Sequence, residues 1–112
     1  MSEGKLKVGV LVSGSGSNLQ ALIDACAVAG HPAEIVLVLS NRPGVRALER
    51  AEAAGIPAAV IDHKLYADRT TFDADMQKAL DMAGAEFICL AGFMRLLTTE
   101  FVEHWRGRMI NI

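Results

Sequence analysis

The sequence predicts an α/β fold: a parallel sheet with flanking helices, cut after the start of its fifth strand. Three observations predict it. Apolar runs suited to strands alternate with helical periodicity along the whole chain. The strand runs are apolar almost throughout, as strands covered on both faces of a sheet must be. The connections are short, and short strand–helix alternation builds right-handed βαβ units.

The first strand is "LKVGVLV" at residues 6–12. "NLQALIDACAVAG" then sets Leu19, Leu22, Ile23 and Cys26 on one helical face, with Gly30 as its stop signal. "AEIVLVLS" (33–40) is a continuous apolar strand, and "VRALERAEAAG" (45–55) a helix closed by Gly55. "PAAVID" (57–62) gives a short third strand. "TTFDADMQKALDMAG" (70–84) is a helix that turns Phe72, Met76, Leu80 and Met82 inward. A fourth strand, "AEFICLAG" (85–92), a short helix, "TTEFVEHW" (98–105), and a fifth strand, "RMINI" (108–112), complete the chain. No polar loop or closing helix follows "RMINI", so the sheet reads as interrupted. The strand edge at 108–112 would then invite self-association.

The 112 residues are one domain's worth, and 52% hydrophobic content with 21% charge is globular composition. A net charge of −2 speaks against nucleic acid or an anionic membrane as partner, so any anion must be held locally. No apolar run approaches the length of a membrane span, and "MSEGKLK" lacks a signal-peptide core. The cytoplasm is the expected location. Cys26 and Cys89 read as small buried hydrophobes of a reducing compartment. No CxxC or HxxxH spacing occurs, so no metal is expected.

Ligands of such sheets bind beyond the carboxyl ends of the strands, where strand order switches. The segments after strands one, two, four and five therefore carry the candidate sites. After the first strand comes "SGSGSNLQ", residues 13–20. It fails the dinucleotide pattern G-x-G-x-x-G, because Leu19 stands at the third glycine, and Ser40-Asn41 replaces the acidic residue expected after the second strand. It also fails as a P-loop, since no lysine occurs between Lys7 and Lys64. Ser17 with Gln20 reads as a capping box, reason enough for those two residues. The additional glycines and serines are not explained that way. So small a loop leaves backbone N–H groups uncovered at the positive end of a helix, where a phosphate binds readily.

Together with later segments the loop resembles one family, phosphoribosylglycinamide formyltransferase (glycinamide ribonucleotide transformylase). "VLVSGSGSNLQALIDA", "VLSNRPGVRALERAEAAGIP", "AGFMRLLTTEFV" and "RMINI" carry the resemblance, in order and across essentially the whole chain. It implies a Rossmann-like fold and transfer of a formyl group from 10-formyltetrahydrofolate to the amine of glycinamide ribonucleotide, in purine biosynthesis. It further implies that Gly16, Ser17 and Asn18 hold the substrate phosphate. Arg69, Met94, Arg95, Leu96 and Leu97 would contact the folate, the last four largely through backbone groups that recognise the pterin. Asn111 would be the catalytic asparagine, beside the folate; an amide suits that task because it donates a hydrogen bond without titrating.

Each of these residues also has a plainer reading. Asn111 could be a polar strand end, Arg95 a solvated cation and Arg69 a surface charge at a helix start. Leu96 and Leu97 could be core, and Phe93 and Met94 ordinary packing. His31, His63 and His104 are isolated in the sequence, and none is assigned to catalysis; His104, beside Trp105, reads as a surface or helix-end residue.

The family pattern continues past "NI" with His-Pro-Ser-Leu-Leu-Pro, whose histidine is the acid/base, and then an aspartate that partners it. Residues 1–112 therefore read as the N-terminal, phosphate-binding part of the domain, inactive without the C-terminal remainder. Formyltetrahydrofolate deformylase is the near alternative, although it usually carries a regulatory domain before the first strand. Methionyl-tRNA formyltransferase begins similarly but lacks the GSGSN loop. A non-catalytic phosphate-binding fragment is the alternative of another class.

Overall fold

The computed structural model describes residues 4–112. Residues 1–3, part of the stretch read as lacking a leader, lie outside it. The elements are β1 (Leu6–Val12), α1 (Ser17–Cys26), β2 (Ala33–Ser40), α2 (Arg46–Ala53) and β3 (Ala58–Val60). A 3-10 turn (His63–Leu65), α3 (Arg69–Met82), β4 (Phe87–Leu90), α4 (Thr99–His104) and β5 (Met109–Asn111) follow. All strand pairs are parallel, in the order β3-β2-β1-β4-β5.

That order sets the position of the site. The chain winds outward from β1 to β3, then returns past β1 to continue on its other side with β4. The switch in strand order therefore falls between β1 and β4, where the connections leaving their carboxyl ends part to opposite faces and open a crevice. Val8, Val10 and Val12 face one layer with Leu19 and Ile23 of α1 and Ala47 and Ala51 of α2. Leu11, Leu37 and Leu39 face the other with Phe72, Met76 and Leu80 of α3 and Phe101 and Trp105. Burying Phe72, Met76 and Leu80 stabilises the fold by about 1.5–3 kcal/mol each. Gly9, in the middle of β1, makes room for this second layer. A Cβ there would lie 2.5 Å from Leu80 Cδ2.

Four expectations need correction. Helix α1 ends at Cys26, not Gly30. Its last turn tightens, with the Val28 N–H bonding the Ala25 carbonyl, and Val28 itself is exposed. Met82 is exposed at the end of α3, because the inward stripe runs out at Leu80. Cys26 is only partly buried, while Cys89 is buried; both are free thiols, and burial raises both above the ordinary thiol range. The capping box is not formed. Gly16 is the N-cap of α1, in a left-handed conformation (φ 76°), with no side-chain cap, and Ser17 is already helical. Gln20 turns outward instead, donating to Asp24 and accepting from Arg50.

Candidate functional site at the strand switch

The connection from β1 to α1 forms one wall of the crevice. Among the described residues, the N–H groups of Ser15, Gly16, Ser17 and Asn18 meet no acceptor, and the first helical bond runs from Gln20 N–H to the Gly16 carbonyl. Helices α3 and α4 are capped by Asp68 and Thr98. Helix α1 has no such partner, so its orphan donors stay open at the positive end of the dipole. Gly16 is required twice over. Its φ is 76°, and a Cβ would lie 2.7 Å from Ala47 Cβ and 2.8 Å from Ala47 Cα. The loop thus rests directly on the first turn of α2.

The connection from β4 to α4 forms the facing wall. It is fastened at both ends by buried polar side chains. Met94 N–H donates to Ser13 Oγ at 2.8 Å, and Thr98 N–H donates to Asp73 Oδ2 at 2.6 Å. Between those points the backbone groups of Arg95, Leu96 and Leu97 bond to nothing among the described residues. Met94 and Leu96 are exposed at 82% and 74%, which sets aside their reading as core or packing. Phe93 and Leu97 are the inward anchors, packed on the α3–α4 layer. Arg95 lies with Cζ 5.5 Å from the Phe72 ring centroid, its Nε buried without a partner. It is not a freely solvated cation.

Residues 13–18, Ala91, Gly92, Met94 and Arg42 together line a cleft of about 250 Å³. A second cleft of about 270 Å³ adjoins it, lined by Asn41, Arg42, His63, Lys64, Met94 and Arg95. A buried polar network joins the two. Ser13 Oγ, 1% exposed with its residue, gives its one proton to Asn41 Oδ1 at 2.6 Å, which leaves a lone pair for the Met94 N–H. Asn41 Nδ2 is thereby turned to His63 Nδ1 at 3.1 Å. The same ring nitrogen lies 2.9 Å from the Asn41 carbonyl, so a protonated Nδ1 serves the carbonyl and a bare one serves the amide. Segments following β1, β2, β3 and β4 are held in register by these four residues.

The remaining candidates are placed less centrally. Asn111 ends β5 opposite Leu90, and one residue on, the Ile112 carbonyl lies 3.4 Å from Asn18 Nδ2. Side chains alternate along a strand, so Asn111 projects to the same side as Met109, the α3–α4 side on which the 94–98 segment packs. Arg69 opens α3, is exposed, and lines neither cleft. His104 is a helix-end residue 3.3 Å from Asp81, as its neighbourhood in the sequence suggested.

The Formyl transferase family profile matches residues 6–112. The chain belongs to the formyl transferase family. The trifunctional purine biosynthetic protein adenosine-3 of Drosophila melanogaster is 53% identical over 114 residues, covering 100% of this chain and 8% of that protein. Phosphoribosylglycinamide formyltransferase of Escherichia coli K12 is 39% identical over 107 residues, covering 96% of this chain and 50% of the enzyme. The crystal structure of phosphoribosylglycinamide formyltransferase from Brucella melitensis superposes with a TM-score of 0.93 at 41% identity, covering 96% of this chain and 56% of that one. The chain thus spans about half of these single enzymes and a small part of the insect protein. The formyl transferase fold is the Rossmann-like parallel sheet that the sequence predicted.

Sequence reasoning reached Ser13 only as part of the loop 13–20, and it did not find Arg42, Asn41 or His63 among the residues that line the two clefts. Ser13 and Asn41 carried a weak signal, as polar residues ending otherwise apolar strands. His63 and Arg42 carried none until the sheet order brought them together. Among the described residues no group of three His, Cys, Asp or Glu side chains could hold a metal. None of their helices is long and apolar enough to cross a membrane.

Proposed function

We propose that the full-length protein transfers a formyl group from 10-formyltetrahydrofolate to the amine of glycinamide ribonucleotide, in the cytoplasm, as a step of purine biosynthesis. Residues 1–112 supply the phosphate loop and one folate wall of that domain. The observation that carries the reading is the pairing of two walls across one switch point. One wall has four unpartnered N–H groups at a helix start, and the other has an unpartnered backbone between two fixed ends.

In this reading Gly16, Ser17 and Asn18 take the phosphate by backbone N–H donation, with Arg42 close enough in the cleft lining to add charge. Arg95, Leu96 and Leu97 offer backbone donors and acceptors to the pterin, while exposed Met94 and Leu96 supply apolar surface to its ring. Arg69 contacts the folate farther out. The formyl donor brings the electrophilic carbon, and Asn111 donates its amide N–H to the charge that grows on the formyl oxygen as the amine attacks. Such a donor is worth about 3–4 kcal/mol in barrier height. The first cleft has no His, Asp or Glu in its lining. Proton transfer is assigned to the C-terminal remainder, where the family resemblance places the acid/base histidine and its aspartate.

The test is a transfer assay of the full-length protein with 10-formyltetrahydrofolate, with and without glycinamide ribonucleotide. Formylated ribonucleotide should form, and Asn111→Ala should lower kcat about 100- to 1,000-fold. Formate released at the same rate without the ribonucleotide would make the protein a hydrolase instead.

A further inference from the structure

The phosphate loop is held by α2 through its carbonyls. The Gly14 carbonyl accepts from Ala47 N–H at 3.1 Å, and the Ser15 carbonyl accepts from Arg50 Nε at 2.8 Å. Arg50 Nη1 also donates to Gln20 Oε1 at 3.2 Å, bracing the guanidinium against the first turn of α1. All peptide bonds in this stretch are trans. In a planar trans peptide the N–H points opposite to the C=O. Two carbonyls turned onto α2 therefore turn the Ser15 and Gly16 N–H groups away from it. Ser15 and Gly16 line the cleft, and no residue of α2 does.

The Ser15–Gly16 peptide needs such a restraint. Flipping it changes ψ of Ser15 and φ of Gly16, and glycine tolerates either sign of φ. A flipped unit would aim a carbonyl oxygen at the anion in place of an N–H. Arg50 takes part in neither ion pair found among the described residues, so no carboxylate competes for it.

We infer that Arg50 is a positioning residue for the anion site: it sets the Ser15–Gly16 peptide so that its N–H faces the bound phosphate. This rests on the proposed role of the loop, and the experiment separates the two. The full-length protein is assayed with glycinamide ribonucleotide as substrate and inorganic phosphate as competing probe. Arg50→Met should raise the ribonucleotide KM and the phosphate inhibition constant together, each about tenfold, the effect of one charged hydrogen bond. The turnover number and the KM for 10-formyltetrahydrofolate should stay within about twofold, as a general loss of structure would not allow. Arg50→Lys should recover most of the loss, because an ammonium can still donate to the Ser15 carbonyl. Arg50→Gln, whose Nε2 is as many bonds from the backbone as Arg50 Nε but is a neutral donor, is the second variant and should fall between Lys and Met.

Wild-type constants in Arg50→Met and Arg50→Gln, with Gly16→Ala still losing phosphate, would overturn the inference and leave the loop's role standing. Wild-type constants in all three would overturn both. Equal losses in turnover and in both KM values would also overturn it, since Arg50 would then serve only stability.

Discussion

Substituting Gly16 by alanine tests the loop at its tightest point. The backbone there has φ 76°, a region that costs an L-residue about 1–2 kcal/mol. The added methyl would lie 2.7 Å from Ala47 Cβ and 2.8 Å from Ala47 Cα. Carbon contacts are comfortable at about 3.5 Å, so loop and helix must part by roughly 0.8 Å. Overpacking of this kind costs about 1–3 kcal/mol, giving about 2–5 kcal/mol in all. The same displacement stretches the 3.1 Å bond from Ala47 N–H to Gly14 beyond useful length and moves the N–H groups facing the cleft. Denaturant unfolding of the full-length protein should read the loss of stability, and calorimetric titration with inorganic phosphate should read at least a tenfold loss of affinity. A second substitution, Ala47→Gly, should recover only part of the stability, because Ala47 Cα and the strained φ remain. A Gly16→Ala protein within about 0.5 kcal/mol of wild type and with unchanged phosphate affinity would refute this reasoning.

Ser13→Ala removes one hydroxyl and strands two partners, Asn41 Oδ1 and the Met94 N–H. It should cost about 2–4 kcal/mol in denaturant unfolding and weaken a folate analogue more than phosphate, whereas equal weakening of both would place the serine's effect elsewhere. Leu97→Pro should weaken folate-analogue binding more than Arg95→Ala does, because proline removes an N–H and restricts its neighbour; a larger loss for the alanine would move recognition onto the Arg95 side chain. The Asp68 carboxyl is held below its ordinary value near 3.8, chiefly by the Thr71 backbone N–H it accepts from. A lowered folded value means that this support is complete above the ordinary carboxylate range and is lost as pH falls through the folded value. Asp68→Asn caps without titrating, so its unfolding midpoint should fall less than wild type between roughly pH 5 and pH 3; equal falls would contradict the assignment.

Much of this fold was legible because its signals are local. Strands β1 and β2 match their apolar runs residue for residue, since they pair with each other along their whole length, from Leu6 beside Ala33 to Val12 beside Ser40. Strands β3, β4 and β5 are shorter than their runs, because parallel partners engage them over only three or four residues. At the start of α1, Ser17 and Gln20 have the spacing of a capping box, but left-handed Gly16 advances the helix by one residue and leaves the donors open. The motif loop and the 94–97 segment were readable as types of residue in sequence. Their meeting, and the bonds Ser13–Asn41, Asn41–His63 and Arg50–Ser15, were not. Those pairs are 28, 22 and 35 residues apart, and only the strand order brings them together.

The most direct measurement compares glycinamide ribonucleotide with its phosphate-free riboside as formyl acceptors for the full-length protein. If the β1–α1 loop holds the phosphate by at least two charge-assisted bonds, kcat/KM should be lower for the riboside by a factor of about 100 or more. Gly16→Ala should close most of that gap by lowering the ribonucleotide value alone. Equal kcat/KM for the two acceptors in the wild-type protein would contradict the loop as the phosphate site.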